Sequence, residues 1–165
     1  MDHSAFNHIT TFIFDVDGVF TNSEVLVTES GELLRTMNVR DGQAVKLALE
    51  KGYHVGIITK GMSIGVRRRF EVLGIKYIFD KVQDKITPFR KMVTSLGLIK
   101  EEILYIGDDV PDIDLYSHCG IAATPADGSP DNLLHAGYIC HHKGGQGCVR
   151  EVIEKVMRIQ KTWPY

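Results

Sequence analysis

Two carboxylates one residue apart, Asp15 and Asp17, follow directly on an apolar run in the stretch TFIFDVDGVF, which begins at Thr11. Extended backbone sends residues i and i+2 to the same side, so the two like charges would crowd each other unless a positive partner sat between them. Other polar residues stand where apolar runs end: Thr59 after HVGII, Asp108 and Asp109 after ILYIG, and Lys85 where a helical pattern starts. Clustered carboxylates without nitrogen or sulfur ligands suit a hard, oxygen-seeking cation, and Mg2+ is the usual one where phosphate is also bound.

That set can transfer a phosphoryl group. Mg2+ held by Asp15, Asp108 and the backbone carbonyl of Asp17 leaves one Asp15 oxygen to attack phosphorus, with Lys85 and the Thr59 hydroxyl facing the equatorial oxygens. Asp17 would give a proton to the departing alcohol and then take one from the water that cleaves the aspartyl phosphate. Asp109 is read as standing behind the metal ligands. Asp112 is either another such support or an acidic residue in a first helical turn, favoured there by the helix dipole.

Such residues need a frame that brings them together. Short apolar runs at 11–14, 54–59, 77–79, 103–106, 120–123 and 138–140 read as strands, and apolar residues recurring at three and four over 42–51, 63–73, 85–96 and 111–117 read as helices. The alternation predicts an α/β fold, a doubly wound, Rossmann-like parallel sheet with helices on both faces, whose ligands gather at the carboxyl ends of the strands. Residues 19–39 break the rhythm, with extended pieces at 24–28 and 33–38 around ESGE, and predict a protruding β-hairpin. Residues 141–165 supply a glycine-rich loop and a last helix over 149–159.

At 165 residues and 44% hydrophobic side chains, the chain suits one domain with one core and no room for a second. A formal charge of -2 gives no general attraction to nucleic acid or an anionic membrane, and Arg67, Arg68 and Arg69 read as a solvated helix face. Three cysteines without CxxC spacing and no leader-like apolar stretch point to the cytoplasm. Cys140, His141, His142 and Cys148 fit no standard zinc pattern.

DVDGV, the strand end at Thr59, Lys85 and GDDVPD, in this order across residues 11–112, resemble the four motifs of the haloacid dehalogenase superfamily. The hairpin, NVRDG and GGQGCVRE at 144–151 extend the likeness to its cap-less subfamily, whose members hydrolyse ulosonic acid phosphates: octulosonate 8-phosphates and nine-carbon ulosonate 9-phosphates. The resemblance implies a Mg2+-dependent phosphatase acting on a small sugar-acid phosphate. It also implies a homotetramer in which hairpins pack into a barrel and a neighbour's tail closes the site. Arg40 matches the octulosonate type; Lys60 stands where glycine is usual, Gly61 and Met62 follow without the expected arginine or lysine, and Gln146 replaces an arginine. Lys60, Gly61, Arg40 and Gln146 are therefore the expected substrate contacts. A phosphoacceptor signalling domain would use similar residues but lacks an acid two places after its nucleophile, and a non-catalytic regulatory subunit would not need the full set.

Overall fold

The structure, a computed structural model, describes residues 3–165. Strand β1 (Thr11–Phe14) runs through its centre with all four residues buried. The chain then leaves the sheet for a short hairpin, β2 (Leu26–Val27) and β3 (Leu33–Leu34), and returns through α1 (Val39–Glu50), β4 (His54–Ile58), α2 (Ile64–Leu73) and β5 (Tyr77–Phe79). It crosses back through α3 (Ile86–Leu96) to β6 (Ile103–Ile106), α4 (Val110–Tyr116), β7 (Ile121–Thr124), α5 (Pro130–His135), β8 (Tyr138–Ile139) and α6 (Cys148–Ile159).

The strand order is β5-β4-β1-β6-β7-β8, and every pairing in this sheet is parallel. The chain builds outward from β1 to one side and then to the other, so the carboxyl end of β1 lies at the switch point, with β4 and β6 beside it. Phe14 is level with Ile57 and Ile106, which puts the residues following all three strands at one edge.

Alternation divides the core. Phe12, Phe14, Val55, Ile57, Leu104 and Ile106 pack on one face against Val45 and Ala48 of α1 and Val149, Val152 and Ile153 of α6. Ile13, Ile58, Ile103 and Tyr105 pack on the other against Phe89 and Met92 of α3 and Leu115 of α4. Burying each such side chain fully contributes about 1.5–3 kcal/mol.

Several expectations need correction. Helix α1 starts at Val39, three residues before the predicted start, because Asn38 Oδ1 accepts the Arg40 N–H at 2.8 Å and caps it. The hairpin ladder is shorter than expected, with only Leu26↔Leu34 and Val27↔Leu33 paired. Helix α5 lies outside the predicted helices; Ser129 caps it and Pro130 opens it. Strand β1 ends at Phe14, so strand alternation does not govern Asp17. Among the described residues, no helix is long and apolar enough to cross a membrane.

Candidate active site

Asp15 continues the face of Ile13, toward α3 and α4, and there it meets its cation. Lys85 Nζ lies 2.9 Å from Asp15 Oδ2 and 2.5 Å from Asp112 Oδ1, with Lys85, Asp15 and Asp112 all buried. At the start of α3 Asp84 Oδ1 accepts the Thr87 N–H (2.7 Å), and Lys85, at the N-cap position, turns its side chain inward. Burial works against the Lys85 ammonium, but Asp15 and Asp112 outweigh it and hold its pKa above the ordinary lysine value.

Asp112, on α4, ties the cluster together. Its Oδ1 also accepts the Tyr105 hydroxyl, and its Oδ2 accepts the backbone N–H groups of Asp108 (3.1 Å) and Asp109 (3.2 Å). Gly107 makes this possible, since a β-carbon there would fall 2.2 Å from the Asp112 carboxyl carbon. Asp109 has an exposed side chain and contributes its backbone N–H.

One oxygen each from Asp15, Asp108 and Asp112 lie within 4.8 Å of one another. Asp15 Oδ1 is buried with no hydrogen-bond partner among the described residues, a cost that a cation would remove. Burial first, then the charges of Asp15, Asp112 and Asp109, push the Asp108 carboxyl up to about 7. Burial likewise raises Asp15, against the pull of Lys85. An all-oxygen donor set held at such strain fits a hard divalent ion.

Asp17 is placed differently from the expectation. Its carboxylate does not meet Lys85, the partner of Asp15: Arg35, just past β3, forks it, with Nε 2.6 Å from Oδ1 and Nη2 3.2 Å from Oδ2. Asp15, Asp17, Thr59, Lys60, Gly61, Lys85, Asp108, Asp109 and Asp112 nevertheless line one open cleft of ≈ 250 Å³. Gly18 has φ +81°, and a β-carbon there would lie 1.8 Å from Asp108 Oδ2, so only glycine lets the turn after Asp17 pass the acidic group.

Arg40 and Gln146 do not reach this cleft within one chain. Both are exposed and line a second hollow of ≈ 650 Å³ with Tyr138, His141, His142 and Glu151. Arg40 points away because it sits on the first turn of α1, whose buried side carries Asp41; Asp41 Oδ1 accepts the Arg150 N–H at 2.8 Å and joins α1 to α6. The 141–147 loop serves the site from beneath: Gly145 N–H donates to the Val19 carbonyl (2.9 Å), and a β-carbon on Gly144 would lie 2.0 Å from the Gly18 oxygen.

Sequence reasoning missed Arg35, Tyr105 and Ser23, whose hydroxyl lies 3.4 Å from Asp108 Oδ2. No local pattern marks the first two; Tyr105 reads as one more apolar strand residue, and Arg35 as a hairpin cation.

An aspartate directly after the central strand, a second aspartate two residues on, a buried lysine and an acidic group beyond β6, all at one switch point, define a hydrolase of the haloacid dehalogenase type. The haloacid dehalogenase-like hydrolase family matches residues 39–124, and the chain belongs to it. It is 33% identical over 153 residues, 93% of this chain and 81% of the relative, to 3-deoxy-D-manno-octulosonate 8-phosphate (KDO 8-phosphate) phosphatase KdsC of Salmonella typhi. Among solved structures it superposes on the Moraxella catarrhalis KDO 8-phosphate phosphatase, in complex with magnesium, phosphate and KDO, with a TM-score of 0.92 and 30% identity, covering 96% of this chain and 91% of that one. It is also similar to the cobalt-bound Haemophilus influenzae deoxy-D-mannose-octulosonate 8-phosphate phosphatase (TM-score 0.90, 29% identity, 95% and 92% coverage).

Proposed function

We propose that this chain is a Mg2+-dependent phosphomonoesterase that converts KDO 8-phosphate to KDO and phosphate through an aspartyl phosphate. The observation that carries the reading is Asp15: one oxygen is fixed by Lys85, the other is buried without a hydrogen-bond partner among the described residues, beside Asp108. Asp15, Asp108 and the Asp17 backbone carbonyl would hold Mg2+, which when bound neutralises charge on the phosphate oxygens.

The protein's own residues then act in sequence. An Asp15 oxygen forms a bond to phosphorus as the bond to the sugar oxygen breaks, and Asp17, carrying a proton, hands it to that oxygen so that the sugar leaves as an alcohol. Water next attacks the aspartyl phosphate, giving its proton to Asp17; phosphate departs and the Asp15 carboxylate is restored. Lys85 and Thr59 meet the charge that spreads over the equatorial oxygens.

The substrate reading rests on the relatives named above, over nearly the whole chain. A nine-carbon ulosonate 9-phosphate is the second reading, favoured by the stretch Lys60-Gly61-Met62, whose first two residues line the cleft and which carries no guanidinium. Phosphate release from the two esters, with and without Mg2+, tests both. Faster turnover of KDO 8-phosphate that requires the metal is the expected result; a clear preference for the nine-carbon ester would overturn the first assignment.

We further read the protein as a homotetramer. Leu26, Val27, Leu33 and Leu34 are all exposed on a hairpin of two residue pairs, too small to be stable with its apolar side chains in water.

A further inference from the structure

Arg35 is the arginine most closely joined to the cleft. Its side chain is only 8% exposed, and it is held three ways: Nε and Nη2 on the two Asp17 oxygens and Nη1 on the Leu33 carbonyl at 3.2 Å. The strand-end loop that faces it, Thr59-Lys60-Gly61-Met62, brings a hydroxyl, a flexible ammonium and an exposed thioether, but no planar donor. Gly61 leaves the approach open: a β-carbon there would stand 3.0 Å from Asp17 Oδ2, 3.4 Å from Thr59 Oγ1 and 3.9 Å from Arg35 Nη2. Beyond it lies a hollow walled by Val16, Met62, Val66 and Phe70. The other arginine of that hollow, Arg67, is 43% exposed and engaged by Glu71 and Asp80.

This arrangement conflicts with the task of Asp17. A carboxyl that must carry a transferable proton cannot keep both oxygens turned to the N–H fork of a guanidinium. The fork matches any carboxylate equally well, since its geometry recognises the planar pair of oxygens and not the residue that bears them.

We propose that Arg35 is a specificity-determining residue that exchanges Asp17 for the carboxylate of the substrate. The sugar acid takes over the guanidinium and Asp17 is released toward the leaving oxygen. A phosphate ester without a carboxylate leaves the Arg35–Asp17 pair closed, so the enzyme discriminates by how readily its proton donor is freed as well as by binding. The inference rests on the sugar-acid reading given above, though not on the number of carbons in the sugar.

The test uses the full-length protein with Mg2+, comparing wild type, Arg35→Met and Arg35→Lys on KDO 8-phosphate, a nine-carbon ulosonate 9-phosphate, glucose 6-phosphate and p-nitrophenyl phosphate. Loss of a charge-assisted fork lowers kcat/KM for the two sugar acids by roughly 10- to 100-fold in Arg35→Met. The two carboxylate-free esters stay within about threefold of wild type or rise, because the closed pair is gone. Free KDO, as an inhibitor, weakens in parallel with the sugar-acid substrates. An equal loss on all four esters, or no loss on the sugar acids, overturns the proposal. If Arg35→Met melts well below wild type, Arg35→Lys, which keeps charge without the fork, gives the same split at smaller amplitude. A wild type that prefers the nine-carbon ester sinks the KDO 8-phosphate assignment while leaving Arg35 in place; equal losses in a wild type that prefers KDO 8-phosphate do the reverse.

Discussion

Lys85 Nζ sits closer to Asp112 Oδ1, at 2.5 Å, than to the proposed nucleophile Asp15, at 2.9 Å. The lysine is thereby fixed from behind, and its remaining hydrogen is left to the cleft. Asp112 in turn accepts four donors, from Lys85, Tyr105, Asp108 and Asp109, and a neutral amide cannot accept them all. Asp112→Asn is expected to lower metal affinity or kcat/KM by about 10- to 100-fold and stability by about 1–3 kcal/mol. Metal titration beside a thermal melt reads both, and a variant unchanged in either would remove Asp112 from this role.

Asp15→Asn should abolish turnover, since an amide oxygen is a poor nucleophile toward phosphorus. Asp17→Asn should slow the hydrolysis of sugar phosphates by about 10²- to 10⁴-fold. With p-nitrophenyl phosphate, whose leaving group needs no proton, Asp17→Asn should instead accumulate a hydroxylamine-sensitive phosphoprotein. Its absence, with turnover intact, would return Asp17 to a purely structural place.

Metal binding should strengthen as pH rises. The Asp108 carboxyl is pushed to about 7 by burial and then by the charges of Asp15, Asp112 and Asp109, and Asp15 is raised by burial and by Asp112 against the pull of Lys85, so both must lose protons before a cation can enter. These folded-state values lie above the unfolded carboxylate range. The metal-free protein therefore binds more protons than its unfolded chain between roughly pH 4 and 7, and loses stability as pH rises through that window. The thermal melt without metal should fall from pH 5 to pH 8 while the increment added by Mg2+ grows. An increment independent of pH would contradict the assignment.

Gly144→Ala should damage a site that it never touches chemically. The added methyl would meet the Gly18 carbonyl at 2.0 Å, forcing apart the 141–147 loop and the turn that carries Asp17, at about 1–3 kcal/mol. Activity should fall more steeply than the melting temperature. Wild-type kinetics in this variant would show that the turn tolerates the displacement.

Replacing Leu26 and Leu34 together by aspartate should leave the sheet intact and reduce the assembly, because both side chains are exposed and pair across the hairpin. Sedimentation should report smaller species, and an unchanged mass would exclude the hairpins from the interface.

The sequence made the frame readable wherever a period was strong. Strands β1, β5 and β6 fall where the apolar runs placed them, and the proposed chemical groups Asp15, Thr59, Lys85 and Asp108 are brought to one cleft as their positions at element ends implied. What escaped was tertiary in origin. Arg35 meets Asp17 only because the hairpin folds over the switch point, and nothing within a few residues of either signals it. Arg40 lies in a stretch that suggested substrate contact, yet the helical turn that buries Asp41 against Arg150 turns its neighbour outward. Helix α5 is signalled only by Ser129 followed by Pro130, because its six residues are too few to show a period.

The floor beneath the turn that carries Asp17 comes from a segment far along the chain from it, the glycines Gly144 and Gly145. A nascent polypeptide that has reached residue 140 already holds every side chain assigned to phosphoryl transfer, but not the glycines on which Gly18 and Val19 rest. Since chains fold from the amino end as they emerge, the proposed nucleophile Asp15 is made well before the segment that supports it. Competence for the proposed reaction is thereby deferred until residues 141–147 have left the ribosome.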